Sequence, residues 1–185
     1  MPAPLVRPHI TYEELCEIPD VGNRYELFDG EAYMTASPLV PHQLILGQLY
    51  VAFLGAARDR AQVLFAPMDV VLAPDTAVQP DLIVIRNERR EIVRDVVRGA
   101  PDLVVEILSP STSYRDRGLK MESYARHGIG EYWIVDGAAR EVEIYRLEPG
   151  KGAYRLVATC RVGDRATTPL LPALAIPVES LFEKA

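Results

Sequence analysis

Apolar residues recur at helical spacing in three segments of the chain. Thr11 and Glu14 form a capping box, so we expect a short helix over about 12–18. Apolar positions three and four residues apart predict a long helix over 41–58 and another helix over 115–127. These three segments are the main predicted helices.

Strand-like segments separate these helices. Asp29-Gly30 favours a tight turn between two segments that alternate, which predicts an N-terminal β-hairpin. Two continuous apolar runs, 81–85 and 102–108, are typical of fully buried strands, and the charged stretch 86–98 suits a short helix. From the long helix onward, the order read from the pattern is α, β, β, β, α, β. The predicted strands are 24–28, 31–35, 62–65, 68–73, 81–85, 102–108, 131–135 and a C-terminal edge hairpin, 141–147 with 154–159.

Length and composition bound the class of protein. At 185 residues, nearly half of them apolar, the chain suits one globular domain, 1–185. No apolar run approaches the roughly 20 residues that cross a bilayer, and the amino terminus lacks a secretion signal. Cys16 and Cys160 form no metal or disulfide motif, so we expect a cytoplasmic protein without a membrane partner.

The formal net charge of -6 argues against tight non-specific binding of nucleic acid. Arginines and lysines nevertheless cluster in two stretches, 86–98 and 115–126. Each cluster is either a local basic face or a solvated helix surface.

Two acidic residues occupy strands that are otherwise apolar. A buried, unpaired carboxylate at Glu106 would cost several kcal/mol, so we expect either an ion pair or a divalent cation beside it. Asp81 follows Pro80, where an aspartate often only caps a turn. If the two strands are neighbours, Asp81 and Glu106 supply the carboxylates that metal-assisted phosphodiester hydrolysis needs.

The surrounding residues resemble a known family. Gln-Pro-Asp at 79–81, Val-Glu-Ile-Leu-Ser-Pro-Ser-Thr at 105–112 and Glu-Tyr-Trp-Ile-Val-Asp at 131–136 are similar to motifs of the PD-(D/E)XK nuclease superfamily. More narrowly, the chain resembles the Uma-two family of restriction-endonuclease-like proteins over about 11–156. The likeness also includes Tyr-Glu-Leu-Phe-Asp-Gly-Glu at 25–31, His42, Asp116 and Lys120.

The resemblance implies a mixed α/β fold. Its expected form is a restriction-endonuclease-like αβββαβ core with a central mixed sheet, an N-terminal hairpin and a C-terminal hairpin. It also implies Mg²⁺, or Mn²⁺, held by Asp81, Glu106 and the carbonyl of Ile107, and hydrolysis of DNA by a metal-activated water. A homodimer is expected, because cutting both strands needs two sites and the chain offers one.

One position departs from the family pattern. Leu108 stands where a lysine is expected two residues after the glutamate. Lys120 can replace that lysine if the helix over 115–127 points its ammonium into the site, although it could equally be a solvated helix position.

Glu26, Glu31 and His42 are secondary site candidates. The two glutamates can face each other across the hairpin and bind a cation, or can lie at exposed strand positions. His42 can orient a phosphate or carry a proton, but a lone histidine near a helix start is more often structural. Tyr124 shares a helix face with Lys120, so it can support the site, although core packing is the favoured interpretation. Trp133 suits core packing.

Three other functions stay open at this point. A catalytically inactive nuclease-fold protein could act as a dimeric binding or regulatory module, which the acidic net charge favours. A phosphatase or glycosidase ranks low, because no matching nucleophile or phosphate-loop motif is present. A nucleic-acid-binding protein without chemistry ranks lowest, because the sequence has no zinc finger, no aromatic RNP motif and no overall basic charge.

Overall fold

The computed structural model describes residues 9–19, 24–109 and 113–183, which form a mixed α/β architecture. Its α-helices are α1 (Tyr12–Glu17), α2 (Val40–Ala57), α3 (Ser113–Arg115) and α4 (Met121–Arg126). Its strands are β1 (Arg24–Phe28), β2 (Glu31–Thr35), β3 (Ala61–Phe65), β4 (Val70–Ala73), β5 (Thr76–Val78), β6 (Leu82–Arg86), β7 (Val97–Arg98), β8 (Leu103–Ile107), β9 (Glu131–Asp136), β10 (Glu141–Leu147), β11 (Tyr154–Arg161), β12 (Arg165–Thr168) and β13 (Leu171–Pro177). The expectation of a single domain over 1–185 stays a prediction.

A six-stranded sheet forms the centre, in the order β11-β10-β9-β8-β6-β3. Strands β8 and β9 are parallel, whereas the other neighbouring strands are antiparallel, so the predicted central mixed sheet is confirmed. Strands β6, β8 and β9 are the continuous apolar runs of the sequence. They are buried because protein covers both faces of this sheet.

One face of the central sheet packs against α2 and the C-terminal segment. Leu49 and Phe53 of α2 are fully buried, and the Phe53 ring packs edge-on against Trp133 of β9 at 5.4 Å between centroids. Strands β12 and β13 and the 3₁₀ helix Val178–Leu181 contribute to the same apolar cluster. Trp133 is therefore a core residue, as expected.

The opposite face packs against α4 and a second sheet. This second sheet has five strands in the order β2-β1-β5-β4-β7. Phe28 of β1, Tyr124 of α4 and Tyr132 of β9 belong to one buried apolar cluster between the layers. The N-terminal hairpin is thus fixed above the central sheet.

The N-terminal elements follow the sequence prediction closely. The capping box of α1 is present, with both the Thr11 side chain and the Glu14 side chain bonded to backbone amides. Asp29 and Gly30 have φ angles of 47° and 77°, as a tight turn between β1 and β2 requires. The hairpin prediction is confirmed, but the hairpin lies within a five-stranded sheet that the sequence did not predict.

Other elements differ in detail from the prediction. The charged stretch holds a 3₁₀ helix, Asn87–Ile92, followed by β7. The edge hairpin of β10 and β11 is confirmed, whereas the β12–β13 hairpin was not predicted. Strand β5 was also missed, because three residues are too few to show alternation.

The predicted helix over 115–127 is a composite element. It begins as α3 at Ser113, continues as a π-helix over Asp116–Lys120 and ends as α4. A π-turn contains one residue more than an α-turn and is often found at functional sites. Pro110, Ser111 and Thr112, which end the motif at 105–112, lie outside the described residues.

Helix α2 is more apolar than was expected from the sequence. In the described part of the chain, α2 is the one helix that passes a test of length and composition for crossing a membrane, a test that buried core helices also pass. The expectation that no segment reaches this length was wrong, because residues 39–57 contain no charged side chain. Six residues of α2 are buried against the protein.

Candidate active site

Asp81 and Glu106 lie at the same end of two neighbouring strands. Strands β6 and β8 are antiparallel, and Leu82 pairs with Val105. The next pair along this register joins Asp81 to Glu106, so the two acids face each other across the strands. The sequence expectation of neighbouring strands is therefore met.

The carboxylate of Glu106 is buried and hydrogen-bonded. Its Oε1 atom accepts a hydrogen bond from the ammonium of Lys120 at 3.0 Å and another from the hydroxyl of Tyr124 at 2.6 Å. These two donors are four residues apart, which places them on one side of the helical segment. Lys120 thus occupies the site and is not a solvated helix position.

Lys120 contacts three carboxylates. Besides Glu106, its Nζ atom lies 3.1 Å from Oε1 of Glu26 and 3.5 Å from Oδ1 of Asp116. The side chain of Lys120 is only 8% exposed, and those of the three acids are 2 to 4% exposed. The ion pair that the sequence suggested for Glu106 therefore exists, as part of a larger buried cluster.

The π-turn places two members of this cluster. Asp116 begins the π-helix and Lys120 ends it, and both are buried. The backbone carbonyl of Asp116 also accepts a hydrogen bond from the hydroxyl of Tyr132 at 3.0 Å, which ties the turn to β9. The widened turn is thereby held against the central sheet.

Glu26 and Glu31 have different environments. In the hairpin Glu26 pairs with Tyr33 and Glu31 pairs with Phe28. The two glutamates were expected to face each other across the hairpin, but they are not directly opposite. The Glu26 side chain is buried and accepts the backbone N–H of Gln79 at 3.0 Å. Glu31 accepts a hydrogen bond from the Tyr33 hydroxyl at 2.8 Å.

Asp81 connects the acidic cluster to α2. Its Oδ2 atom accepts the backbone N–H of Ile107 at 2.7 Å and lies 3.1 Å from Nε2 of His42, in the first turn of α2. Burial acts to lower the pKa of His42, but the hydrogen bond and the charge of Asp81 raise that pKa overall. The other ring nitrogen, Nδ1, is buried and has no hydrogen-bond partner among the described residues.

Negative charge exceeds positive charge in this cluster. Burial raises the pKa of Glu106 well above its usual value, the charges of Asp81, Asp116 and Glu26 raise it further, and Lys120 opposes them. Burial acts to lower the pKa of Lys120, but the charge of Glu106, followed by those of the other carboxylates, holds this pKa well above its usual value. The cluster therefore contains an ammonium group and several carboxylates that compete for it.

The donor atoms at Asp81 and Glu106 suit a hard divalent cation. The hydrogen bonds of Asp81 use Oδ2 and those of Glu106 use Oε1, so the second oxygen of each carboxylate makes no hydrogen bond within the described residues. Mg²⁺ takes such oxygens together with waters and few protein ligands. In residues 9–19, 24–109 and 113–183 no three His, Cys, Asp or Glu side chains converge on a ready-made metal position.

Most of the candidates from the sequence lie in one region. The structure brings together Glu26, His42, Asp81, Glu106 with its neighbour Ile107, and Lys120. Sequence reasoning did not propose Asp116 as a site residue and favoured core packing for Tyr124. The spacing of four residues between Asp116, Lys120 and Tyr124 was the available signal.

Several arginines of the two basic stretches pair with acidic side chains. In the first, Arg86 and Arg89 both pair with Asp102, whose side chain is 7% exposed, at 2.9 and 3.1 Å. In the second, Arg117 pairs with Glu143 and Arg126 with Asp29. These arginines serve mainly to neutralise neighbouring acids.

Comparison with known proteins identifies a family that includes this chain. The model of the Uma2 family, described as "Putative restriction endonuclease", matches residues 11–179. A search among curated proteins gives no match. A crystal structure described as a "putative nuclease belonging to DUF820", from Anabaena variabilis ATCC 29413, aligns with a TM-score of 0.78 and 19% identity over 94% of this chain and 97% of that chain.

A second solved structure aligns over a smaller part of its own length. The type IIG restriction endonuclease BpuSI aligns with a TM-score of 0.44 and 15% identity, over 81% of this chain and 17% of that chain. The likeness to the Anabaena protein shows a shared fold.

Proposed function

Since the chain belongs to the Uma2 family of restriction-endonuclease-like proteins, we propose that it is a metal-dependent endonuclease that hydrolyses phosphodiester bonds in DNA. One observation carries this proposal. Asp81 and Glu106 face each other at neighbouring strand ends, and a lysine from the following helix donates to Glu106. Lys120 thus provides the ammonium group that the leucine at position 108 cannot provide.

Asp81, Glu106 and the carbonyl of Ile107 would hold the divalent ion, with Mg²⁺ or Mn²⁺ as the proposed species. When bound, such an ion supplies positive charge beside a phosphate and lowers the pKa of a water molecule. The residues of the chain provide the remaining interactions.

Lys120 is the proposed electrostatic catalyst. Its ammonium is held by Glu26, Glu106 and Asp116, so its direction is fixed before substrate binds. A preorganised donor of this kind stabilises negative charge that develops on the phosphate, and losing one typically costs 10²–10³ in rate. Tyr124 fixes the Glu106 oxygen that Lys120 contacts.

His42 is proposed to orient Asp81. It approaches Oδ2 from α2 while the backbone of Ile107 approaches the same atom from β8. These two contacts leave Oδ1 as the oxygen for the cation. Glu31 is a weaker candidate, because its contact is with the Tyr33 hydroxyl.

Two further proposals follow from the same reading. Both cysteines are free thiols, which supports a cytoplasmic location. Cutting both strands of a duplex needs two sites, which supports a homodimer.

The alternative is an inactive nuclease-fold protein that acts as a binding or regulatory module. The burial of the Glu106 and Lys120 side chains, which are 4% and 8% exposed, favours it, because a phosphate must approach both groups. This alternative predicts a stable fold with neither metal binding nor cleavage.

The test is cleavage of supercoiled plasmid, single-stranded DNA and branched DNA, with Mg²⁺ or Mn²⁺ against EDTA. We expect metal-dependent nicking that is lost in Asp81→Asn, Glu106→Gln and Lys120→Met. Calorimetry should show that the first two variants lose Mn²⁺ binding.

Two exposed residues provide matched controls. Glu88→Gln and Lys151→Met change the same groups far from the cluster and should cut at the wild-type rate. If no substrate is cut and Mn²⁺ binding does not depend on Asp81 and Glu106, the enzyme proposal is refuted. The binding-module function would then take its place.

A further inference from the structure

The outward face of α2 is an uncharged stripe that the rest of the described chain leaves exposed. Val51 is 68% exposed at the middle of the helix, and Val40 is 71% exposed at its start. The opposite face of the helix is buried against the central sheet. The residues of this α2 stripe, spaced by three, four and seven positions, are Val40, Leu44, Gly47, Val51, Leu54 and Gly55.

Two glycines in the stripe lie inside a regular helix. Glycine in a helix interior is less favourable than alanine, so its presence usually has a packing reason. A Cβ atom added at Gly47 or Gly55 would meet no atom within 4 Å. Packing within the chain therefore does not require either glycine, whereas close approach by another helix would.

The apolar surface continues beyond the helix. Phe65, at the end of the edge strand β3, is 46% exposed, and its ring lies 4.6 Å from the ring of Tyr50 on α2. From their exposed fractions, the stripe and Phe65 present on the order of 500 Å² of apolar surface, near the upper end for an ordinary monomer. A standard interface buries about 800 Å² per partner. The patch is therefore large enough to form the apolar centre of such an interface.

We propose that a second copy of this chain covers the α2 stripe, with the two α2 helices packed antiparallel around a two-fold axis near Val51. A two-fold interface brings identical surfaces together, and an uncharged stripe is complementary to itself. This arrangement places Gly47 of one copy opposite Gly55 of the other, where the absence of side chains permits close contact. A nucleic acid or a charged peptide would find no charge to pair with on this face.

This interface specifies how the homodimer proposed above would form, but its test does not depend on nuclease activity. The full chain is studied by sedimentation velocity over a range of concentrations, beside Val51→Glu and the control Val162→Glu. Val162 is 56% exposed in the turn between β11 and β12 and is not part of the α2 stripe. Circular dichroism verifies that each variant is folded.

The wild type and Val162→Glu should sediment at twice the chain mass of 20.6 kDa, and Val51→Glu at the chain mass. The dissociation constant of Val51→Glu should rise at least 100-fold. In a Cys16→Ser background, Val51→Cys should form a disulfide-linked dimer on mild oxidation, and Val162→Cys should not. The single active-site variant Glu106→Gln should remain dimeric.

Three outcomes would overturn the proposal. The first is a monomeric wild type at 100 μM, and the second is a dimer that Val51→Glu leaves intact. The third is wild-type protein that co-sediments with phosphatidylcholine vesicles and loses that binding in Val51→Glu, which would assign the stripe to a lipid surface. A dimer without DNA cleavage would leave the interface standing while the nuclease proposal fails.

Discussion

Replacing Lys120 with methionine removes the ammonium from a buried cluster and keeps much of the side-chain volume. The variant leaves Glu26, Glu106 and Asp116 without the group that contacts all three. At least one further carboxylate must then take up a proton for the protein to remain folded. We expect a large loss of stability that depends on pH.

The size of the loss follows from the protonation cost. Holding a glutamic acid with an ordinary pKa near 4.3 in its neutral form at pH 7 costs about 4 kcal/mol. Removing one partner of a buried ion pair typically lowers the free energy of unfolding by a similar amount, about 3–5 kcal/mol. The affected carboxyl has a raised pKa in the folded variant, so the deficit is largest at high pH and shrinks by about 1.4 kcal/mol per unit as the pH falls toward 5.

Urea unfolding followed by tryptophan fluorescence measures this loss, because Trp133 is the single tryptophan of the sequence and is fully buried. The control is Lys151→Met, which removes the same charge from an exposed pair with Glu148 and should cost less than about 1 kcal/mol. Adding Glu26→Gln to Lys120→Met should restore at least half of the loss. A loss under about 1 kcal/mol for Lys120→Met at pH 7, or one that is constant from pH 5 to 8, would refute the reasoning.

Three other predictions address the site, a helix cap and the core. Mn²⁺ affinity measured by calorimetry should rise with increasing pH, because the raised pKa of Glu106 favours its protonated form, and a proton on this group competes with the cation. An affinity that does not change with pH would contradict this. Thr11→Ala should lower the free energy of unfolding by about 1 kcal/mol in urea titrations. The double variant Thr11→Ala/Glu14→Ala should lose less stability than the sum of the two single variants, because each side chain of the capping box bonds the backbone of the other residue. Leu49→Ala should cost about 2–5 kcal/mol in the same assay, whereas Leu156→Ala, which is 47% exposed, should cost far less.

The sequence predicted elements well where a local signal decides them. The Asp29-Gly30 turn and the capping box at Thr11 are fixed by neighbouring residues, and both occur in the structure. The buried strand around Glu106 was evident from the sequence, because a strand whose sheet is covered by protein on both faces has a continuous apolar run. The pairing of β6 with β8 then placed Asp81 opposite that glutamate.

The sequence was less informative where distant segments decide the environment. Glu26 lies in a hairpin that could have been exposed, and its burial depends on the helical segment that carries Lys120. Asp116 was missed because an acid at the start of a helix is usually a surface residue. The stripe on α2 escaped notice because helical spacing alone does not show which apolar side is covered.

The parallel pairing of β8 with β9 has a consequence for the order in which the cluster assembles during folding. Glu106 lies in β8 and Lys120 lies in the connection to β9, so the two are only 14 residues apart, and Tyr124 is 18 residues from Glu106. Contacts at short sequence separation close with little loss of chain entropy, whereas Glu26 must arrive from the distant N-terminal hairpin. This β-α-β unit can therefore pair its own glutamate with a lysine before the second sheet closes over it.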